Sequence, residues 1–145
     1  MSALITANLE AGVLSRLREL LGDLAVEPWG ETGEILQGDE MAEKVRAGGY
    51  GHLVVEVDIL HEDFWDALGD HPLRTVSVCR ADPITVDLRA ASRRGVPVFY
   101  APARNAQAVA ELTIGMMIAF ARRLVFAHEL LKSGRFEPAS PKDFM

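Results

Sequence analysis

Two short polar segments carry the side chains that could bind a small acid. The first, Arg80-Ala81-Asp82-Pro83, follows an apolar segment, and the second ends at Asn105 after another apolar segment. Arg80 can grip a carboxylate through paired hydrogen bonds, and turn N–H groups at Ala81 and Asp82 can bind an anion. Asn105 stands where a helix begins, so free N–H groups and partial positive charge accompany its carboxamide. Together the segments predict a site for a small anion.

Each of these residues also has a purely structural interpretation. Arg80 could form an ion pair with Asp82 or Asp87 in an ordinary turn, and Asn105 could serve only as a helix cap. The basic residues of the following helix, Arg89, Arg93 and Arg94, fit a solvated helix face as well as a ligand contact. These alternatives stay open at the level of sequence.

Alternating apolar and amphipathic segments surround the two polar segments. Strands are predicted at Ala3–Ala7, Leu24–Val26, His52–Val57, Leu73–Val78 and Val96–Phe99, and helices at Leu9–Leu21, Asp39–Ala47, His61–Leu68 and Asp87–Arg94, with a loop at Pro28–Gly38. The helices starting at Asp39 and Asp87 take those residues as caps. This alternation predicts an α/β fold with a doubly wound, parallel, five-stranded sheet. Segments that leave neighbouring parallel strands share one edge, so both polar segments are expected there.

The last part of the sequence predicts one long helix over residues 106–132, followed by an extended arm over residues 135–145. Apolar side chains nearly surround this helix, and a helix that is apolar all round is normally buried. A small sheet cannot cover all its faces, so a second domain or a second subunit should. We therefore expect a homodimer through the 106–132 helix. The proline-containing arm has no closing element, as in a chain interrupted mid-protein.

Composition restricts the other possibilities. The 145 residues fit one ordinary domain, with 49% hydrophobic and 25% charged residues. Residues 1–73 hold fifteen acidic and four basic side chains, and residues 74–145 hold eleven basic and six acidic ones. The acidic balance disfavours nucleic acid, while the basic half suits a small anion. No segment predicts a signal peptide or a membrane span, which favours the cytoplasm.

Several other kinds of site are disfavoured. Cys79 is the only cysteine, and the four histidines lack partners at metal-ligand spacing, so no disulfide and no metal site are expected. The cluster Gly48-Gly49-Tyr50-Gly51 precedes a predicted strand, whereas a dinucleotide-binding glycine loop follows one. No phosphate cradle is therefore expected in this chain.

Several motifs in the second half resemble a known family. They are Val86-Asp87-Leu88-Arg89-Ala90-Ala91, Arg94-Gly95-Val96-Pro97-Val98, Ala101-Pro102, Asn105-Ala106, Val109-Ala110-Glu111-Leu112-Thr113, Ala127-His128, Leu131-Lys132 and Gly134-Arg135-Phe136. Over about sixty residues, their order and spacing closely resemble the NAD-dependent D-isomer-specific 2-hydroxyacid dehydrogenases, such as phosphoglycerate dehydrogenase. The first seventy residues agree only in their pattern of strands and helices.

The resemblance implies a flavodoxin-like substrate domain over residues 1–104 and an interdomain or dimerisation helix with its arm over residues 105–145. It implies that Arg80, Ala81, Asp82 and Asn105 contact a small 2-hydroxy or 2-oxo acid, and that Val109 touches the nicotinamide of NAD. The family's Rossmann domain and its catalytic arginine, glutamate and histidine have no counterpart in this chain. The chain alone is therefore expected to be inactive and to bind NAD weakly.

The match has two departures, and other functions stay open beside it. Asp82-Pro83 stands where most members have a glycine-rich turn, which leaves the acid substrate open. Tyr100 replaces a common asparagine, a change expected to affect only packing. A non-catalytic binding or dimerisation module built from the same domain is one alternative. A receiver-like signalling domain is another, with Asp58 after the third strand, but Asn8 and the segment after strand five supply neither its acidic pair nor its lysine.

Overall fold

The structure is a computed structural model that describes residues 2–134. Its strands are β1 (Ser2–Ile5), β2 (Asp23–Val26), β3 (His52–Val55), β4 (Thr75–Val78) and β5 (Val98–Tyr100). Its helices are α1 (Ala11–Leu21), α2 (Trp29–Thr32), α3 (Gly38–Ala47), α4 (Glu62–Ala67), α5 (Leu88–Arg93), α6 (Ala106–Ala121) and α7 (Leu124–Lys132). The chain divides into two compact units at Pro102 and Ala103.

The first unit is built on a five-stranded sheet with the order β2-β1-β3-β4-β5, in which every pair is parallel. The strands are short apolar segments, as expected where a parallel sheet is buried on both faces. The predicted α/β fold with a parallel five-stranded sheet is confirmed.

Two apolar clusters lie on the two faces of the sheet. On one face, Val55 and Val76 pack with Met41 of α3, Phe64 of α4 and Ala90 of α5. On the other face, the cluster of Ile5, Ala7 and Val54 packs with partly buried leucines of α1, namely Leu14 and Leu17. Burial of these side chains provides the main driving force for folding of the unit.

Local details of the first unit differ from the sequence prediction. Helix α3 has Gln37 as its N-cap, so the prediction that Asp39 caps it is wrong, and Asp39 lies in the first turn. The segment predicted as loop over Pro28–Gly38 contains the single turn α2. The Asp87 cap is confirmed, because its carboxylate accepts hydrogen bonds from the N–H groups of Arg89 and Ala90.

The prediction of one long helix over residues 106–132 is wrong. Helix α6 ends at Ala121, Arg123 has a left-handed backbone (φ 52°, ψ 36°), and α7 starts at Leu124. The Arg123 N–H donates to the Phe120 carbonyl at 3.1 Å, and its guanidinium lies 4.5 Å from the Phe126 ring centre. These contacts stabilise the turn, and the intrinsic helix propensity that favours continuity is worth only tenths of a kcal/mol per residue. The predicted arm over residues 135–145 lies outside the described residues.

Phe64 should be essential to the stability of the first unit. Its ring is fully buried and meets Trp65 edge to face, with 5.1 Å between ring centres. We expect Phe64→Ala to lower the free energy of unfolding in urea by about 3–5 kcal/mol, because it removes buried apolar surface and leaves a cavity. The control Phe99→Ala removes a ring that is 58% exposed and should cost much less. Equal losses in the two variants would contradict this packing.

His52 should make stability fall with acidification. Its Nδ1 is hydrogen-bonded to Thr75 Oγ1 at 2.9 Å, and within residues 2–134 its buried Nε2 has no partner. Burial, followed by the charges of Arg74 and the N-terminus, lowers the pKa of His52 below its ordinary 6.5. The unfolded chain therefore takes up this proton first, and the free energy of unfolding should decrease as pH drops below about 6.5.

The measurement is urea unfolding at several pH values between 7.5 and 5.5. His52→Gln removes the titrating ring and should flatten the dependence in this range. If the free energy of unfolding depends on pH as steeply in the variant as in the wild type, another titrating group causes the dependence.

Candidate functional site

The carboxyl ends of four strands lie side by side in the first unit. Beyond the strands, the Thr6 N–H donates to the Val54 carbonyl at 2.9 Å, and the Cys79 N–H donates to the Val55 carbonyl at 2.7 Å. The Ala101 N–H donates to the Arg80 carbonyl at 2.9 Å. The ladder thus continues past β1, β3, β4 and β5, which sets the four exits in one row at strand spacing, about 4.8 Å each.

Hydrogen bonds at both ends hold the loop between β4 and α5. The Val86 N–H donates to the Pro83 carbonyl at 3.0 Å, which closes a turn. Leu60 then bridges to the loop, because its N–H donates to the Thr85 carbonyl at 2.8 Å and its carbonyl accepts from Asp87 at 2.9 Å. These bonds hold the α5 end of the loop, and the Ala101 bond to the Arg80 carbonyl holds its β4 end, with Ala81 and Asp82 between the two.

Asp87 anchors the far end of this loop at the start of α5. Hydrogen bonds from the Ala90 N–H and then the Arg89 N–H lower the pKa of the Asp87 carboxyl below its ordinary 3.8. The carboxylate therefore binds the N-terminus of helix α5, where negative charge is favoured. Asp87 is consequently a structural residue and no competitor for Arg80.

Arg80, Ala81 and Asp82 are exposed at the exit of β4, while Pro83 is buried beneath them. Among the ion pairs of residues 2–134, none joins Arg80 to Asp82 or to Asp87. The alternative in which Arg80 is an internal ion-pair partner is therefore not the arrangement found. A guanidinium and turn N–H groups at one exposed loop can bind a carboxylate.

Asn105 and Val109 belong to the second unit. Asn105 precedes α6, its carbonyl accepts from the Val109 N–H at 2.9 Å, and its side chain makes no capping bond to the helix. Val109 lies in the first turn of α6 and is 52% exposed. Both side chains are thus open to solvent, and their convergence with the Arg80 loop stays a prediction.

The structure reveals a buried polar triad around Asp58, a residue that the sequence suggests only as the acid of a receiver-like domain. The Asp58 carboxylate, fully buried after β3, accepts from the Thr6 hydroxyl at 2.5 Å and from the Leu36 N–H at 3.0 Å. The triad ties the exits of β1 and β3 to the segment before α3. The sequence signal is a polar residue at or just beyond the end of each of two apolar strands, which here serves the scaffold.

A second group, also missed, lies at the neighbouring exits of β1 and β3. The Glu56 carboxylate accepts from the Trp29 indole N–H at 3.0 Å and from the Asn8 backbone N–H at 3.4 Å. The Asn8 side-chain oxygen accepts from the Gly30 N–H at 3.3 Å. No sequence spacing indicates this group, because its members come from three separate loops that only the sheet order brings together.

The glycine cluster at residues 48–51 does not have the setting of a dinucleotide-binding loop. The cluster at residues 48–51 precedes β3, and a Cβ added at Gly48 would lie 2.1–2.7 Å from ring atoms of Tyr50, so that ring already fills the space. A pyrophosphate cradle needs an open glycine turn between a strand and a helix. Over residues 2–134 there is also no group of three or more potential metal ligands and no helix able to cross a membrane.

The comparisons decide the family. The model of the D-isomer specific 2-hydroxyacid dehydrogenase catalytic domain matches residues 3–138. The chain belongs to this family. The Bacillus subtilis protein YoaD, whose name gives it provisionally as a 2-hydroxyacid dehydrogenase, is 37% identical over 137 residues, which is 94% of this chain. D-3-phosphoglycerate dehydrogenase of Sus scrofa is 42% identical over 52 residues, or 36% of this chain and 10% of that protein.

A solved relative supports the same fold. The TT0316 protein of Thermus thermophilus is 27% identical, with a TM-score of 0.80 over 100% of this chain and 44% of that one. The chain spans 39% of the length of YoaD. The resemblance to the dehydrogenases is therefore confirmed, and this oxidoreductase family is NAD-dependent and acts on small 2-hydroxy acids.

The Asp58 triad generates a stability prediction. Asp58→Ala leaves the buried Leu36 N–H without its acceptor and the Thr6 hydroxyl with only the long bond to the Val54 carbonyl at 3.4 Å, so we expect the free energy of unfolding to fall by about 2–5 kcal/mol. Asp58→Asn is the matched control, since the amide can still accept from Leu36 and donate to Thr6. Urea unfolding should rank the wild type above Asp58→Asn and Asp58→Asn above Asp58→Ala. An Asp58→Ala variant as stable as the wild type would show that the triad does not stabilise the fold.

Proposed function

We propose that this chain is the N-terminal substrate-binding portion of an enzyme that transfers hydride between NAD and a small D-2-hydroxy acid. The observation that supports this most is the loop of Arg80, Ala81 and Asp82, held at the row of strand exits with its guanidinium outside the internal ion pairs. Family membership supplies the reaction class, and the loop supplies chemistry suited to the acid's carboxylate.

The loop would bind and orient the acid. Arg80 and the N–H groups of Ala81 and Asp82 would hold the carboxylate, so that C2 of the acid is presented from a fixed position. Binding of the carboxylate is equal in the ground and transition states, so it contributes to substrate affinity and not to the chemical step. No step of the reaction is assigned to residues of this chain.

Asp82 limits how the acid can lie. Two carboxylates at close range repel each other, so the Asp82 side chain must point away from the bound acid or share the Arg80 charge. The backbone N–H of Asp82 can still donate in either case. We therefore assign Asp82 a backbone role and Arg80 the charge-bearing role.

The second unit would complete the site. We propose that the Asn105 carboxamide faces the hydroxyl or carbonyl of the acid and that Val109 lies against the nicotinamide. We also propose that residues 1–104 form the substrate domain and that residues 105–145 link it to a nucleotide-binding domain. The exposed positions of Asn105 and Val109 at the start of α6 support these assignments.

A non-catalytic binding or dimerisation module is the second candidate. It is favoured by the exposed apolar side chains of α6 and α7. The two candidates differ in carboxylate binding, because only the enzyme proposal requires the Arg80 loop to bind an acid. NAD alone should produce no detectable heat at millimolar concentration with either, and tight NAD binding would contradict both.

Arg80 should carry most of the acid affinity. We expect Arg80→Ala to weaken binding of a D-2-hydroxy acid such as D-glycerate by roughly tenfold to a hundredfold, as for loss of one charge-assisted hydrogen bond. Arg89→Ala is the matched control, because Arg89 is an exposed arginine on α5. Isothermal calorimetry at millimolar acid gives both dissociation constants. If Arg80→Ala binds as the wild type does, the carboxylate site is elsewhere.

We also propose that the chain self-associates as a homodimer through α6 and α7. Exposed apolar side chains cover these helices, and α6 has no buried residue. They are Val109, Leu112, Ile114, Met116, Met117, Ile118, Phe120, Leu124, Val125, Phe126 and Leu131. Such a surface exceeds what a monomer usually exposes and marks a contact site.

Phe120 is the most exposed of these side chains, at 88%. Phe120→Glu should shift the chain from dimer to monomer in multi-angle light scattering, since it would bury a carboxylate in an apolar contact. Phe99→Glu places the same charge on β5 of the first unit and should leave the dimer intact. A wild-type chain that remains monomeric at high concentration would contradict the proposed dimer.

A further inference from the structure

The strand order points to a second part of the row of strand ends, beside the Arg80 loop, where a ligand could bind. In the order β2-β1-β3-β4-β5, the chain winds one way from β1 and the opposite way from β3. Ligands of open parallel sheets bind outside the carboxyl ends of strands at such a reversal. The Arg80 loop leaves β4, one strand away from it. The β1 and β3 exits are therefore the direction in which a bound acid would extend.

The register fixes how far away this second position lies. Val55 pairs with Val78 and its carbonyl accepts from the Cys79 N–H at 2.7 Å, so Glu56 leaves β3 beside the point where Cys79 and Arg80 leave β4. Adjacent strands are about 4.8 Å apart, which corresponds to about three carbon–carbon bonds. An acid whose carboxylate sits at the Arg80 loop thus reaches the backbone of the β3 exit with its third or fourth carbon, and the Glu56 carboxylate lies beyond it, on the side of Asn8 and Trp29.

Several carboxylates lie around the β1 and β3 exits. The Glu56 carboxylate is half-buried and is held by the Trp29 indole and the Asn8 N–H. Beside it, a pocket of about 360 Å³ at the ends of β1 and β2 includes Asn8, Glu10 and Glu31 among its lining residues. The row therefore carries a guanidinium at Arg80 and a carboxylate at Glu56.

We infer that Glu56 selects the far end of the substrate, so that the 2-hydroxy acid carries a hydrogen-bond donor, an ammonium or a hydroxyl group, and no second anion. This inference rests on the proposed function, because it takes the carboxylate to lie at the Arg80 loop. A phosphate at the far end would meet the Glu56 carboxylate and be repelled, whereas an ammonium would be attracted. Glu56 is a specificity-determining residue in this account.

The test is a titration of the ¹⁵N-labelled chain with three acids. They are D-glycerate, D-3-phosphoglycerate and D-2-hydroxy-4-aminobutyrate, followed at the amides of Arg80–Asp82 and at the Trp29 indole N–H. All three should shift the loop amides, with dissociation constants that increase from the amino acid through glycerate to phosphoglycerate. Each step should be about threefold or more, as for partly exposed charge pairs. The amino acid should shift the indole signal most.

Glu56→Gln keeps an acceptor for the Trp29 indole and removes the charge, so it should bring the three dissociation constants to within about twofold of one another. Glu19→Gln, which removes a carboxylate from the other end of α1, should leave their order unchanged. As a measurement independent of any variant, high salt should shrink the wild-type preference for the amino acid.

The outcomes of this test distinguish the inference about Glu56 from the proposed function. If phosphoglycerate binds as tightly as glycerate, or if Glu56→Gln or high salt leaves the preference unchanged, the inference about Glu56 is wrong and the carboxylate site stands. If none of the acids shifts the amides of Arg80–Asp82, the proposed function fails, and the inference fails with it.

Discussion

Parallel pairing of five short strands is the constraint on which the rest of the first unit depends. Pairing in register places the exits of β1, β3, β4 and β5 in one row, and hydrogen bonds from Thr6, Cys79 and Ala101 extend that row past the strands. Loops far apart in sequence consequently become neighbours. Without this register, the loop that carries Arg80 would not leave the sheet beside the strand that leads to Glu56.

The same row of strand ends contains the buried carboxylate of Asp58. A buried carboxylate is costly unless it accepts hydrogen bonds, and Asp58 accepts two, from the Thr6 hydroxyl and the Leu36 N–H. These bonds hold the exits of β1 and β3 together beneath the polar surface. The scaffold and the candidate site are therefore the same set of strand ends, with buried groups fixing the geometry and exposed groups free to meet a ligand.

The sequence predicts the sheet well because its signals are local. Apolar strands such as the one ending at Val78, and the Asp87 cap, each depend on a few consecutive residues. The break at Arg123 and the Glu56 group were not predictable in this way. Helix propensity favours continuity through Arg122 and Arg123, and contacts with Phe126 accompany the break. Glu56, Trp29 and Asn8 meet only through the strand order, which no local pattern specifies.

The central claim is that the Arg80 loop binds the carboxylate of a small 2-hydroxy acid. The most direct measurement is a set of intermolecular nuclear Overhauser effects between ¹³C-labelled D-lactate and the ¹⁵N-labelled chain. The account predicts contacts from the lactate C2 proton and methyl group to the amides of Ala81 and Asp82. Contacts confined to other surfaces, such as the pocket beside Asn8 and Leu14, would contradict it.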